Sequence, residues 1–239
     1  MQELLDVDQI EGILEEHGLQ QIFIDTLRPY LGLYSFEQGE LVCSQGESPE
    51  YLYVLIKGKI KIFTTSPEGR TLILSFRTPL EIIGDIEYIQ QQDIINTVEA
   101  VSPALFLGIH YRWLKKYADN HAPFLKFMLG IITEKFYANS HSANFNLMYP
   151  VEVRLASYLL SVSFDESVAE FNGQLSTEEL TDAANLIGTS YRHMNRVLRK
   201  FCEEKFLQRK RDSSRLLIGR ACKGWQAGIY TSSLLAYFF

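Results

Sequence analysis

The hydrophobic pattern changes period several times along the chain. Leu4 to Leu19 is acidic and amphipathic, which predicts a short helix ended by Gly18. From about Tyr30 to Ile109 the text shortens into strands. Leu52 to Ile56 and Ile60 to Phe63 flank Lys57-Gly58-Lys59, a tight turn. Ser66-Pro67-Glu68-Gly69 reads as a second hairpin turn, and Thr71 to Phe76 follows as a further strand. Gly39, Gly46, Gly58, Gly69 and Gly84 punctuate these strands at intervals suited to a small roll or barrel. A β-sandwich with no ligand fits the same pattern.

Helical text returns from Tyr111 to Leu147. Leu125, Leu129, Ile132, Phe136, Asn139, Ala143 and Asn146 step alternately by four and three residues, the spacing of a coiled-coil seam. Phe124, Phe127 and Ile131 form a second apolar face, free to pack on the strand region. A helix apolar on two faces bridges its own domain and a partner; the bland alternative is a cover for the β domain in a monomer. Asn139 turns the seam polar, where a buried Asn would set dimer register. Met148-Tyr149-Pro150 reads as a hinge. Val151 to Val162 opens a new amphipathic helix with Leu155, Leu159 and Val162 inward, and Ser163 to Gln174, holding Asp165, Glu166 and Glu170, reads as an exposed acidic loop.

The sharpest pattern lies between Leu175 and Ile218. With Gly188-Thr189-Ser190 as a turn and Tyr191 to Phe201 as a helix, Met194, Val197, Leu198 and Phe201 make one apolar stripe. Arg192, Asn195, Arg196 and Arg199 fall on the opposite face. Ser190 is placed to cap this helix, and Gly188 to end the preceding one, Glu178 to Ile187. Two helices joined by a short Gly-containing turn, the second presenting Arg and Asn outward, describe a helix-turn-helix. Arg pairs bidentately with guanine and Asn with adenine in the major groove, whereas a solvated face on an ordinary bundle would carry the same residues. Phe206 to Ile218 follows as a hairpin with a polar turn at Asp212 to Ser214. It would form a wing, with Arg209, Lys210, Arg211 and Arg215 facing phosphates.

Charge favours nucleic acid over the solvated bundle. Residues 188 to 223 hold 11 of the 23 basic side chains and three of the 29 acids, a local charge of +8, while the remainder carries −14. The formal net charge of −6 therefore does not oppose DNA binding, because the positive charge sits where the motif sits. At 239 residues, with 46% hydrophobic residues, the chain suits one large or two modest domains with real cores. No apolar run is long enough to span a membrane, and Glu3, Asp6 and Asp8 stand where a signal peptide would be basic. Three scattered cysteines fit a reducing cytoplasm.

Candidate chemistry is sparse. Cys43, Cys202 and Cys222 are too few for an iron–sulfur cluster, and Cys202 and Cys222 lack the short spacing of a zinc site. A disulfide between those two, or a redox-reactive Cys43, stands beside the bland reading of packed small hydrophobes. His17, His110, His121, His141 and His193 form no ligand pair at helical spacing. No nucleophile, base and orienting group appear together, so no catalytic residue is assigned and an enzyme is not expected.

The whole order resembles the CRP/FNR superfamily of bacterial transcription regulators. The resemblance rests on Gly39, Gly46 and Gly58, on the helix start Gly84-Asp85-Ile86-Glu87, and on Gly188-Thr189-Ser190-Tyr191-Arg192-His193-Met194-Asn195-Arg196-Val197-Leu198. The second and third of these look most like the YeiL-type branch. The resemblance implies an α+β chain: an N-terminal β-roll resembling cyclic-nucleotide-binding jelly rolls (1–120), a long dimerisation helix and hinge (121–149), and a C-terminal winged helix-turn-helix (150–239). By family pattern the major-groove positions fall on Tyr191, Arg192 and Arg196; Tyr191 and Arg192 depart from the common pattern, which implies a different half-site.

The same resemblance locates an effector pocket at Gly84, Asp85, Ile94 and Ile95, with Asn139 and Ser140 where the long helix meets ligand. Members that bind cyclic nucleotides carry an Arg-Ser pair for the phosphate; here Ile94 and Ile95 stand in those places, with Asp93 beside them. A phosphate buried without Arg, near a carboxylate, would lose several charge-assisted bonds. Cyclic AMP is therefore not expected, although backbone N–H groups at Gly84 and Asp85 could still hold an anion, and Asp85 could equally be a capping residue.

The resulting expectation is a cytoplasmic, homodimeric, sequence-specific regulator of double-stranded DNA on a palindrome. Tyr191, Arg192, Asn195 and Arg196 would read bases, and Ser190, Arg199, Arg209, Lys210, Arg211 and Arg215 would hold phosphates. Leu125, Leu129, Ile132, Phe136 and Asn139 would form the dimer seam. RNA polymerase, met through loops like Ser163 to Gln174, and a small-molecule effector are the implied further partners; no membrane is involved. The competing reading is an effector-binding protein whose C-terminal domain contacts protein, for which Arg192 and Arg196 would be dispensable. The apolar segment Ile229 to Phe239 suggests only packing, on the C-terminal domain or the dimer.

Overall fold

Side-chain alternation along three strands decides the architecture of the amino-terminal half. In the computed structural model, residues 2–4, 7–69, 71–165, 170–171, 174–175, 177–204, 207–209 and 216–218 are described. The chain opens with β1 (Gln2–Leu4), α1 (Val7–Glu16), β2 (Leu31–Phe36), β3 (Leu41–Cys43), β4 (Tyr51–Lys57) and β5 (Ile60–Thr65). Next come β6 (Thr71–Arg77), β7 (Glu81–Ile83), α2 (Asp85–Gln90), β8 (Thr97–Ala100), β9 (Ala104–His110), α3 (Tyr111–Tyr117) and α4 (Ala122–Met148). One sheet has the order β1-β2-β9-β4-β7 and the other β3-β8-β5-β6.

Along β2, β4 and β9, successive side chains point to opposite faces, and both faces are buried. Tyr34, Phe36, Tyr53, Leu55, Ala104 and Phe106 point into a core shared with Ile60, Val98 and Ala100 of the second sheet. Leu31, Leu33, Leu52, Val54, Leu107 and Ile109 point the other way, onto Ile13 and Leu14 of α1, Leu114 of α3, and Phe124 and Met128 of α4. Hence these strands read as unbroken apolar runs rather than as alternating ones. Burying Phe124 and Met128 contributes about 1.5–3 kcal/mol each, which makes this the face by which α4 is held. The expected packing of Phe124, Phe127 and Ile131 on the strand region is what the structure shows.

Three expectations need correction. The helix predicted from Leu4 begins at Val7, because Gln2 to Leu4 pair with Ser35 to Leu33 as an edge strand instead. The Lys57-Gly58-Lys59 turn is present but links two sheets, since β4 pairs with β9 and β7 while β5 pairs with β8. Lys59 bonds through its N–H to the Ser102 hydroxyl at 3.0 Å and through its carbonyl to the Val101 N–H at 2.9 Å, which pulls the chain across to the second sheet. Segment Ser163 to Gln174 is no plain loop: its ends form β10 (Phe164–Asp165) and β11 (Glu170–Phe171), an antiparallel pair.

The carboxy-terminal half contains α5 (Val151–Ser163), β10, β11, β12 (Gln174–Leu175), α6 (Thr177–Leu186), α7 (Tyr191–Glu203), β13 (Leu207–Arg209) and β14 (Leu216–Ile218). Its small sheet has the order β12-β14-β13. Leu155 and Leu159 of α5 are buried, as are Leu180, Ala183 and Ala184 of α6 and the α7 stripe Met194, Val197, Leu198 and Phe201. Small residues at 183 and 184 let a neighbouring helix approach. Pro150 separates α4 from α5, and its carbonyl accepts from Val153 and Arg154 to start the new helix. The chain divides into two compact units, residues 1–70 with 74–137 and residues 71–73 with 138–239, so the division falls within α4. No helix among the described residues is long and apolar enough to cross a membrane.

Gly58 is the position at which a methyl group would do most damage. Its φ is 98°, and an added Cβ would lie 2.4 Å from the Pro103 carbonyl oxygen. Gly58→Ala is expected to lower unfolding free energy by about 1–3 kcal/mol in urea titration. An unchanged midpoint would show that the sheet-to-sheet corner adjusts freely.

Candidate nucleic-acid interface and ligand pocket

Two short-range devices set the turn before α7. Gly188 adopts φ 64° and closes α6, with Thr189 N–H bonded to the Ala184 carbonyl at 2.9 Å. The Ser190 hydroxyl then accepts from the His193 N–H at 3.1 Å, capping the first turn of α7. Arg154 of α5 donates to the Ile187 carbonyl, satisfying an acceptor freed where α6 ends. The cap predicted for Ser190 is therefore present, and so is the turn at Gly188.

The buried stripe of α7 forces its other face outward. Tyr191, Arg192, Arg196 and Arg199 are exposed, and Asn195 is half-buried beside them. His193 is also exposed, with Nδ1 3.4 Å from the Thr189 hydroxyl. This gives one helix face of guanidinium, amide and phenol groups, the donor set that base edges and phosphates accept. In the wing, β13 and β14 pair antiparallel, Leu207 with Ile218 and Arg209 with Leu216. Arg209 thus sits at the inner end of the hairpin. Lys210, Arg211, Arg215 and the turn at Asp212 to Ser214 lie outside the described residues, as do Cys222 and Ile229 to Phe239.

On α4 the seam residues are open. Leu125, Leu129 and Phe136 are 40%, 66% and 72% exposed, Ile132 is half-buried and Asn139 is exposed. Ser140 is half-buried on the same helix.

The expected pocket residues Gly84, Asp85, Ile94 and Ile95 are tied by bonds within the roll and to α4. Gly84 has φ 87°, and an added Cβ would meet the Tyr111 hydroxyl at 2.5 Å and the Tyr51 carbonyl at 2.7 Å. The Tyr111 hydroxyl donates to the Gly84 carbonyl at 2.6 Å. Burial, then the Glu87 and Asp85 carboxylates, push the Tyr111 phenol well above its ordinary value, so it remains a donor. Asp85 is not a cap. It is the first residue of a six-residue helix, and its carboxylate lies 2.8 Å from the Lys135 ammonium of α4. Glu81 is 2.8 Å from the same ammonium and 3.3 Å from Arg77 Nε. Ile94 is half-buried with its N–H on the Glu47 carbonyl, and the Ile95 N–H donates to Glu87 Oε1 at 3.1 Å.

Glu81, Asp85 and Glu87 are all buried. Ile94 and Ile95 bring no charged side chain to this wall, and the Asp85 carboxylate is turned to Lys135 rather than to the helix start. Glu81, Arg77 and Lys135 were not legible as site residues. The one hint is that Lys135 follows Phe124, Met128 and Ile131 at helical spacing, so the apolar stripe ends on a charge.

The remaining candidates have structural roles. His110 caps α3 by accepting from the Arg112 N–H, and His121 bonds the Gln21 carbonyl at 2.7 Å. Burial pushes the Cys43 thiol up to about 12, which removes it as a thiolate nucleophile near neutral pH.

Comparison with known proteins accords with this geometry. Residues 33–121 match the family of cyclic nucleotide-binding domains, and residues 153–219 match Crp-like helix-turn-helix domains. Regulatory protein YeiL of Escherichia coli O157:H7 is 25% identical over 194 residues, covering 81% of this chain and 85% of that protein. A CRP-like cAMP-activated global transcriptional regulator of Mycobacterium tuberculosis H37Rv is 21% identical over 193 residues, covering 80% and 86%. The fold is shared with the c-di-GMP-responsive global regulator CLP of Xanthomonas campestris, at TM-score 0.71 and 18% identity over 87% of this chain and 98% of that one.

Cys43, on β3, provides a direct check of packing at the core between the two sheets. A thiol raised by burial contributes its stability below the ordinary thiol range and loses it only as pH climbs toward about 12. Iodoacetamide at pH 8 is expected to label Cys43 far more slowly in the folded chain than in urea, read by peptide mass spectrometry. Equal rates would contradict the shielding of this half-buried thiol.

Proposed function

The chain belongs to the CRP/FNR superfamily of transcription regulators, and from that premise we propose that it is a homodimer reading a palindromic DNA site without cyclic AMP. The observation that carries this reading is the division of α7 into a fully buried apolar stripe and an exposed face of Tyr191, Arg192, Arg196 and Arg199 with Asn195 at its edge. Arg192, Asn195 and Arg196 read base edges with Tyr191 beside them. Ser190 and Arg199, and from the wing Arg209, Lys210, Arg211 and Arg215, hold phosphates and set register.

A second apolar face on α4 supports the dimer. Phe124 and Met128 are buried against the roll while Leu129 and Phe136 remain open on the same helix. Covering Leu125, Leu129, Ile132 and Phe136 with a second copy removes that exposed surface and aligns two recognition helices by a two-fold axis. Asn139 lies where such a seam turns polar. Two related helices then meet successive major grooves about 34 Å apart. Control, where there is any, comes through a ligand unlike cyclic AMP, because Ile94 and Ile95 offer no charge to a phosphate. RNA polymerase is the further partner this role implies.

Base-reading and phosphate-holding residues differ in how their loss depends on sequence and salt. Arg196→Ala is expected to cost about 1–3 kcal/mol on the preferred site and to relax discrimination at one base pair. Arg211→Ala is expected to weaken all sequences alike and to reduce the salt slope by about one counterion. Fluorescence anisotropy with specific and scrambled duplexes at several salt concentrations separates the two. A uniform loss for both would remove the division of roles; no loss for Arg192→Ala and Arg196→Ala together would favour a protein partner.

A further inference from the structure

The Lys135 ammonium is held as a ligand is held. It donates to Asp85 Oδ2 at 2.8 Å and to the Ile82 carbonyl, and Glu81 Oε1 stands 2.8 Å away as an ion-pair partner outside hydrogen-bonding geometry. The two carboxylates are 6% and 3% exposed, and Arg77 stands 3.3 Å from the far oxygen of Glu81. Carboxylates so buried demand a cation, and two directed N–H bonds beside an ion pair favour a compact ammonium over a cation without N–H groups. Lys135 supplies it from α4.

We propose that Lys135 is an internal ligand of the effector pocket, standing in for a diffusible one and fixing α4 against the roll in the DNA-binding setting. Lys135 continues the roll-facing side of α4 after Phe124, Met128 and Ile131, and Phe136, the next residue, is open. One residue is about 100° of helix rotation, so seating Lys135 dictates which face α4 turns outward. An apolar stripe alone tolerates sliding; two directed hydrogen bonds and a buried ion pair do not. The inference rests on the proposed DNA-binding dimer, and it assigns the pocket a ligand class, primary ammonium, in place of a phosphate.

The test uses the full chain on its selected DNA site. Wild type is expected to bind with no small molecule present. Lys135→Ala is expected to bind about tenfold or more weakly, the scale of ordinary coupling between sites, and ethylammonium at millimolar concentration to restore most of that loss. Tetramethylammonium, with equal charge and no N–H, is expected to restore nothing. Unchanged affinity of Lys135→Ala, or indifference to ethylammonium while circular dichroism shows a folded protein, would overturn the inference. If Lys135→Ala does not fold, Lys135→Met combined with Glu81→Gln and Asp85→Asn replaces the ions with groups of similar size. A folded triple variant binding as wild type overturns the inference, and a tenfold loss supports it. Wild type that binds only after cell extract is added also overturns it while leaving the proposed function intact. Sequence-blind binding under every condition defeats the proposed function itself.

Discussion

Strands β2, β4 and β9 are buried on both faces, and the amino-terminal unit follows from that constraint. A doubly buried strand needs two covers. One is the second sheet, which meets Tyr34, Phe36, Tyr53 and Phe106; the other is the layer of α1, α3 and α4, which meets Leu33, Leu52, Leu107 and Ile109. Covering the sheet uses one face of α4 through Phe124 and Met128. Leu129 and Phe136 are then left outward on the same helix, which is the physical ground for the proposed second copy.

The pocket shows how a shared fold takes on different chemistry through a few side chains. The roll and the helix start at Gly84 are retained, and Tyr111 fills the space that the missing Cβ leaves. Charge is reversed relative to an anion site: two buried carboxylates, Glu81 and Asp85, face two internal cations, Arg77 and Lys135. A buried ion pair adds little net stability, since desolvation offsets much of the attraction, but removing one partner is costly. Such a cluster is better suited to fixing one arrangement of α4 than to strengthening the fold, which agrees with its proposed role as a latch.

What could be read from sequence was what is local. The α7 stripe, the turn at Gly188 and the cap at Ser190 depend on residues within a few positions of each other, and all three are found where spacing placed them. The strands β4, β5 and β6 were legible for the same reason. The partner of each strand was not: β4 and β5 sit on either side of three turn residues yet belong to different sheets, because Lys59 is captured by Val101 and Ser102. β1 was hidden because three residues carry too little period to distinguish a strand from a frayed helix. Asp85 was read as a cap or an anion cradle because its true partner lies 50 positions away. A charge at the end of an apolar stripe, Lys135 after Ile131, was the available signal.

Selection of genomic DNA fragments by the purified chain, with no small molecule added and at near-physiological salt, tests the central claim most directly. The account predicts recovery of an imperfect palindrome with half-sites one helical turn, about 34 Å, apart. Recovery of fragments without a shared sequence, held only at low salt, would contradict it.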